Sequence, residues 1–414
     1  MSLTDSHIDN EIDFCDVSLF AEGPPYALFD QLRSSAPVSW SKAPSDWPLS
    51  EGTGYWNLVR AADIAEVMRD SERFSSNLGG VTIPSYAVGS LEAVQAMIIG
   101  KDPPHHTQQR KTVMKAFTPR RISDLEISVR ENVRQVINEV IEAGRCDFVS
   151  AISGPLPMTM IADLLGVPQE DRPQLFDWTD AIFGFHDPDA PLSAMDALEQ
   201  STQYMIRLDE QRQRCPKDDL ITVIGRAEID GERLPVEERA GIFNQLFAAG
   251  VDTTRATLAL GIQALIEHPE QRRLLIEQPA LIPLAVEEIN RWVSVAQYMR
   301  RTALKDTLVG DQLIRQGEAV VCWQAAGNRD PERFNNPNHF DVARSDCPHQ
   351  SFGGGGRHLC LGSSLARMEL RIAIEQLLRR MPDMELDGPV VRTPSNWIQN
   401  VKAMPVKFSP GARE

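Results

Sequence analysis

Hydrophobic positions recur along this chain at two spacings, and the longer one dominates. Leu125, Val129, Val133, Ile137, Val140 and Ile141 fall three and four apart, the period of a helix with one buried face. Ser123 and Glu126 before that run predict a capping box, and Gly144 predicts its end. The same period appears in Tyr26, Phe29 and Leu32, and again in Ile64, Val67 and Met68. It predicts further helices over 157–165 and 171–185, with a turn at Gly166-Val167-Pro168 between them. From Val236 to about Glu267 the helical pattern runs without a proline. At about 1.5 Å per residue, such a helix is long enough to cross a whole domain. Another predicted helix carries Glu287, Glu288 and Arg291. A last one carries Leu361, Leu365, Met368 and Ile372 and runs to about Met381. The shorter, β-like spacing is confined to Val38–Trp40, Tyr55–Val59, a strand pair around Leu308–Val321, and the tail near Trp397-Ile398 and Val406–Phe408. The pattern therefore predicts a mainly α protein with small β-sheets, β-rich mostly over 35–60, 300–325 and 385–410. With no internal repeat and no linker-like shift in composition, residues 1–414 read as a single domain.

Two predicted loops interrupt the pattern. Residues 75–100, rich in Gly, Ser and small apolar residues, predict an irregular lid-like segment with a short helix. Residues 184–193, with Gly184, Pro188 and Pro191, predict a second loop.

Charge narrows the function. The 42 basic and 58 acidic residues leave a formal net charge of −16, which argues against general nucleic-acid binding. The six cysteines are scattered with no C-x-x-C pair, so no disulfide framework is expected and a reducing compartment fits. The acidic leader Met1–Asp16 does not read as a signal peptide, and no run of about 18 apolar residues predicts a membrane span. A cytoplasmic protein without a membrane anchor is the expectation.

Three stretches carry candidate chemistry. In Ser351-Phe352-Gly353-Gly354-Gly355-Gly356-Arg357-His358-Leu359-Cys360-Leu361-Gly362, four glycines lead to a cysteine at the mouth of a helix. The glycines let the backbone approach a flat ligand, and the helix N-terminus favours a thiolate. Cys360 is thus either a thiolate ligand to iron or a buried cysteine after a turn. His106 and Arg110, at i and i+4 after Pro103-Pro104, make either a two-cation stripe for an anion or a solvated face. In the middle of the long helix lies Ala248-Ala249-Gly250-Val251-Asp252-Thr253-Thr254. This is a locally weakened turn suited to water or a small ligand, or else a helix crossing with Asp252 at the surface. A zinc site of Cys347, His349, His358 and Cys360 is a further alternative, although its spacing is irregular for zinc. A phosphate loop fails for want of the Lys-Ser/Thr pair.

Taken together and in order, these stretches resemble the cytochrome P450 family of haem-thiolate monooxygenases, from about residue 15 to the end. The resemblance implies the P450 fold and haem b with Cys360 as the axial ligand. It implies propionate contacts at His106, Arg110, Arg301 and His358, with Phe352, Gly353 and Gly362 shaping the cysteine loop. It places Ala249 and Gly250 over the haem, and Asp252 and Thr253 as an acid–alcohol pair relaying protons to O2. Glu288 and Arg291 match a structural Glu-x-x-Arg. Its third partner is Arg344 by spacing to the cysteine loop, with Arg333 lying too far upstream. Three features depart from the family pattern: one extra glycine between Phe352 and Cys360, no proline after the Glu-x-x-Arg helix at Ser294-Val295, and no microsomal anchor.

The implied reaction inserts one oxygen atom from O2 into a hydrophobic substrate, which the similarity to sterol side-chain and methyl-branched lipid hydroxylases narrows to a steroid, terpenoid or branched lipid. Its pocket is expected from Phe247, Ala248, Val295, Gln297, Trp397 and Ile398. With no flavin or iron–sulfur motif in the chain, electrons are expected from a separate ferredoxin or flavodoxin with its reductase. That donor would be steered to Lys111, Lys115, Arg357, Arg367 and Arg371 of a monomer. A peroxide-driven haem hydroxylase is the alternative within haem enzymes, and the Asp252-Thr253 pair argues against it.

Overall fold

The computed structural model describes residues 9–10, 12–44, 47, 52–84, 90–184 and 192–414. Most of the predicted loop at 184–193, including Asp187-Pro188-Asp189, and residues 85–89 of the predicted lid lie outside the described residues.

The long helix forms over Val236–Glu267 as its pattern predicts, and the helical part is packed around it. Its neighbours are the helices Pro155–Leu165, Arg172–Phe183, Ala194–Arg214 and Ile282–Val293. Two glycines allow close crossings. A Cβ at Gly261 would stand 2.6 Å from Cγ2 of Ile289, and one at Gly250 would stand 3.1 Å from Ile161. Each interior glycine costs about 1 kcal/mol of helix propensity, which the closer packing of the neighbouring helix offsets.

The capping box does not form. The chain enters its helix earlier, at Pro119–Asp124, where Thr118 accepts from the Arg121 N–H and proline takes the first turn. Glu126 opens the next helix, Glu126–Val140, and bonds Arg130 at 2.9 Å instead. The 21-residue helix Ala194–Arg214 was not anticipated.

A six-stranded mixed sheet lies beside the helices in the order Asp9–Asn10, Val38–Lys42, Gly54–Leu58, Ala319–Cys322, Met299–Ala303, Phe74–Ser75. Trp56 pairs with Trp40 on one side and Val320 on the other, and Val320 pairs in turn with Arg301. The pair expected around 308–321 divides: Thr307–Val309 and Gln312–Ile314 form their own hairpin, whereas Ala319–Cys322 joins the large sheet. The tail is β as predicted, with Asn400–Ala403 against Val391–Thr393 and Pro405–Lys407 against Arg145–Asp147.

A buried ion network fastens the irregular stretch before the cysteine loop. Arg291 donates to both Glu288 carboxylate oxygens at 2.7 Å, and neither side chain has any exposed surface. Arg344 donates to Glu288 Oε2 at 2.9 Å, and Arg291 also holds the carbonyls of Asn328 and Pro337. The third partner is thus Arg344; Arg333 is exposed. Where the expected proline is missing, Ser294 ends its helix in the left-handed region (φ 49°) and its hydroxyl accepts from Asn328.

Candidate active site

The cysteine loop, the long helix and the large sheet meet around a cavity of about 270 Å³. The loop owes its path to glycine: Gly353, Gly354, Gly355 and Gly356 all have positive φ, between 64° and 100°. A Cβ at Gly356 would meet the Met68 carbonyl at 2.9 Å, so the loop lies directly on the helix Ala61–Arg69. Arg69 reinforces this by donating to the Gly354 carbonyl at 3.0 Å. The Cys360 N–H closes the loop on the Phe352 carbonyl at 3.0 Å, and the helix Ser363–Arg380 begins three residues later.

Cys360 lines the cavity, and its accessible surface opens there. Burial pushes its thiol pKa up; the N–H groups of Gly362 and Ser363, with Arg110 and Arg367, pull the other way by favouring the thiolate. Beside it lies a cluster of cations and imidazoles. Arg110 lines the cavity and donates to the Leu359 carbonyl at 2.6 Å, and Arg301 and His358 line it too. His106 is buried behind, with its ring 4.1 Å from that of His358. Both ring nitrogens of His106 are buried without a partner. Burial, with the nearby Arg110 and Arg357, lowers its pKa to about 4, and burial lowers that of His358 to about 2. Neutral rings beside buried guanidiniums, with donor capacity unspent, suit an anionic ligand. The donor set therefore fits the two carboxylates of haem, with Cys360 on the soft-ligand side.

The opposite wall is the long helix. Ala248, Ala249, Gly250 and Thr253 line the cavity there. The Thr253 hydroxyl donates to the Ala249 carbonyl at 2.6 Å, leaving its oxygen free to accept from the cavity side. Asp252 is neither at the surface nor in the cavity wall. It is fully buried and bonds Arg255, which in turn donates to Asp180 at 2.6 Å. Burial raises its pKa against the Arg255 charge, and its Oδ2 has no partner.

Of the expected pocket residues, Ala248, Val295, Trp397 and Ile398 line the cavity, as do Phe352, Gly353 and Gly362. Two do not. Phe247 points away and packs on Phe243 and Trp178 at ring distances of 5.4 and 6.3 Å. Gln297 is buried in the sheet region, donating to the Ser395 carbonyl at 2.6 Å. Sequence reading missed Phe183, whose ring lies 5.6 Å from Trp397, and Ile161, Leu198 and Glu369. Glu369 had a signal: it lies at i+4 from Leu365, on an otherwise apolar face.

The zinc alternative fails geometrically. Cys347 donates to Glu288, His349 bonds Glu287 at 3.1 Å, and His358 pairs with Ser76 and His106. Among the described residues no group of three or more His, Cys, Asp or Glu is placed to hold a metal ion. Nor, among the described residues, is any helix long and apolar enough to cross a membrane.

Comparison with known proteins gives the same picture. The family model for cytochrome P450 matches residues 155–382. A steroid C26-monooxygenase of Rhodococcus jostii is 35% identical over 96% of this chain and 84% of its own length. A methyl-branched lipid omega-hydroxylase of Mycobacterium tuberculosis is 37% identical over 92% of this chain and 90% of its own. Among solved structures, the Mycobacterium marinum cytochrome P450 CYP268A2 in complex with pseudoionone superposes with a TM-score of 0.90. It is 35% identical and covers 98% of this chain and all of its own. A glycine-built cysteine loop facing a helical wall across a cavity, in a fold and a sequence shared end to end with these enzymes, has one assignment: the chain belongs to the cytochrome P450 family.

Proposed function

We propose that this P450 monooxygenase hydroxylates an aliphatic, methyl-branched substrate of the steroid, terpenoid or branched-lipid class, using two electrons from a separate ferredoxin and its reductase. The observation that carries the reading is the cavity. Its lining is mostly apolar, with Ile161, Phe183, Leu198, Val295, Trp397 and Ile398 among the walls, and besides the groups near Cys360 and Thr253 it carries a few polar side chains, such as Asn244 and Gln245 of the long helix and Glu369. A walled apolar slot with few polar groups selects shape and leaves an unactivated C–H bond as the reacting group. The names of the relatives, steroid C26-monooxygenase and methyl-branched lipid omega-hydroxylase, point to the same class.

Haem, carried on a cysteine thiolate in this family, supplies the activation of O2. In this chain Cys360 would hold the iron, and Arg110, Arg301, His358 and His106 would meet the propionates, supported by their grouping at one end of the cavity. The balanced reaction is RH + O2 + 2e⁻ + 2H⁺ → ROH + H2O, so two protons must enter a largely apolar site each turnover. Thr253 is the group placed to hold a water there. Asp252 stands behind it as the proton source, restrained by Arg255. The whole chain, 1–414, acts as one domain, supported by a core that runs from Phe14 to Phe408.

Electrons would enter on the outer side of the cysteine loop. Lys111, Lys115 and Arg357 are exposed, as are the apolar Met114 and Leu359. Arg367 and Arg371 contribute less, since both are already engaged by glutamates.

The test is the ferrous carbon-monoxide spectrum of the wild type and of Cys360→Ser, followed by a panel of sterols, terpenes and fatty acids. The expected result is a strongly red-shifted Soret band that Cys360→Ser abolishes, and hydroxylation at a terminal methyl branch located by mass spectrometry. A colourless protein, or an unchanged band in Cys360→Ser, would overturn the haem-ligand assignment. Products from linear, unbranched chains alone would overturn the substrate class.

A further inference from the structure

Phe352 does not merely border the cavity; it is gripped from two sides. The Arg367 guanidinium lies 4.4 Å from the centre of its ring, and the His349 ring lies 5.5 Å away. Both grips are anchored on one carboxylate. Glu287 accepts from Arg367 at both oxygens (2.7 and 2.9 Å) and bonds His349 Nε2 at 3.1 Å. The glutamate lies 65 positions before Phe352, in the helix Ile282–Val293 that also carries the buried Glu288–Arg291 pair. Its neighbour Glu288 is fully occupied by Arg291, Arg344 and the Asp341 N–H, so the two adjacent acids have separate duties. Glu288 fastens the polar stretch before the loop, and Glu287 fastens the loop itself. A planar guanidinium held by a bidentate carboxylate presents its face to an aromatic ring in a fixed orientation. The ring so held belongs to the residue whose carbonyl accepts the Cys360 N–H.

We propose that Glu287 is a positioning residue for the cysteine ligand: through Arg367 and His349 it holds Phe352, and through Phe352 the geometry of the Cys360 loop. The inference rests on the reading of Cys360 as the haem ligand. A loop with four consecutive positive-φ glycines has little intrinsic preference for one path. The residue added between Phe352 and Cys360 makes it longer still. An external clamp on its first residue is what such a loop requires, and Glu287 is the carboxylate that bonds both jaws of the clamp.

The experiment follows the red-shifted Soret band of the ferrous carbon-monoxide complex in five holoproteins: wild type, Glu287→Ala, Glu287→Gln, Phe352→Leu, and the double variant of Glu287→Ala with Phe352→Leu. The readout is the rate at which the band is lost at fixed temperature, with the melting temperature recorded alongside. Glu287→Ala is expected to lose the band at least fivefold faster than wild type. The double variant is expected to match Phe352→Leu, because the clamp has nothing left to hold. Glu287→Gln, which keeps one acceptor for Arg367, should fall between wild type and alanine. An unchanged rate in Glu287→Ala overturns the proposal. So does a double-variant rate equal to the product of the single effects, which would mean that Glu287 merely stabilises its helix. Absence of the band from wild type would instead overturn the Cys360 assignment, and the two failures are thereby distinguished.

Discussion

Neighbouring positions on an α-helix lie about 100° apart, and that turn carries Thr253 into the cavity wall and Asp252 out of it. The sequence pairs them, and the structure separates them: Thr253 faces the cavity and Asp252 faces Arg255. The two variants should therefore behave differently. Thr253→Ala removes the hydroxyl that orders water in the cavity. It should leave electron consumption near wild type while less than about half of the electrons appear in product, a loss of positioned proton transfer worth a factor well within the range of general acid catalysis. Unchanged coupling, measured as product formed per NAD(P)H consumed, would count against it. Asp252→Asn keeps the shape but removes the ionisable group, and should slow turnover about 10- to 100-fold with a larger solvent isotope effect. Glu369 carries a different consequence. Burial raises its carboxyl pKa to about 8, so it is neutral in the folded protein at neutral pH. A raised pKa means that the folded state binds the proton more tightly. The stability this contributes is full below the ordinary carboxyl pKa of about 4.5 and is lost as pH rises towards 8, at up to about 1.4 kcal/mol per pH unit. Glu369→Gln should remove that slope: its melting temperature should exceed that of wild type at pH 8.5 and match it near pH 5. A parallel pH dependence in both proteins would contradict the assignment.

At the scale of elements, legibility followed the reach of each interaction. Elements with an uninterrupted apolar pattern were read almost to the residue, such as Val236–Glu267 and the pair Val38–Lys42 and Gly54–Leu58, which are buried on more than one face. The helix Ala194–Arg214 was not, because its buried stripe includes small and polar residues such as Ala197, Ser201 and Asp209. The capping box failed because Thr118 with Pro119 is a stronger helix start five residues upstream. Within the site, the motif residues Arg110, Thr253, Arg301, His358 and Cys360 gather around one cavity. Phe247, whose place depends on which way a helix turns, lies off the cavity, and partners distant in sequence, Arg255–Asp180 and Glu287–Arg367, left no local trace. One distant partner was legible from spacing, and it supports a sharp contrast. Arg344 bonds the buried Glu288 and the carbonyls of Asn335 and His339, whereas Arg333 is exposed. Arg344→Ala should cost about 2–4 kcal/mol and reduce haem retention, because it leaves part of a buried charge network unpaired. Arg333→Ala should stay within about 0.5 kcal/mol of wild type. Urea unfolding of the two variants decides the matter, and equal costs would put the third partner elsewhere.

At the scale of the whole molecule, a net charge of −16 opposes the approach of any acidic electron donor. The exposed Lys111, Lys115 and Arg357 favour it. Which effect wins depends on how far charge is felt. At about 0.01 M salt the screening length is roughly 30 Å, so the donor meets the field of the entire acidic protein. At about 0.1 M it shrinks to roughly 10 Å, so distant carboxylates drop out while lysines beside the docked donor still act. At about 1 M, with a screening length of roughly 3 Å, the patch is silenced as well. The rate of reduction by an acidic ferredoxin should therefore rise and then fall with ionic strength, with its maximum near 0.1 M. Lys111→Glu combined with Lys115→Glu should remove the falling limb and lower the maximum at least tenfold, since steering of this kind changes association rates by 10- to 1000-fold. The same pair should leave the carbon-monoxide spectrum unchanged, because neither lysine lines the cavity. Stopped-flow reduction across the salt range measures both limbs. A rate that only rises with salt in the wild type would mean that the global charge dominates at every distance and that the donor enters elsewhere.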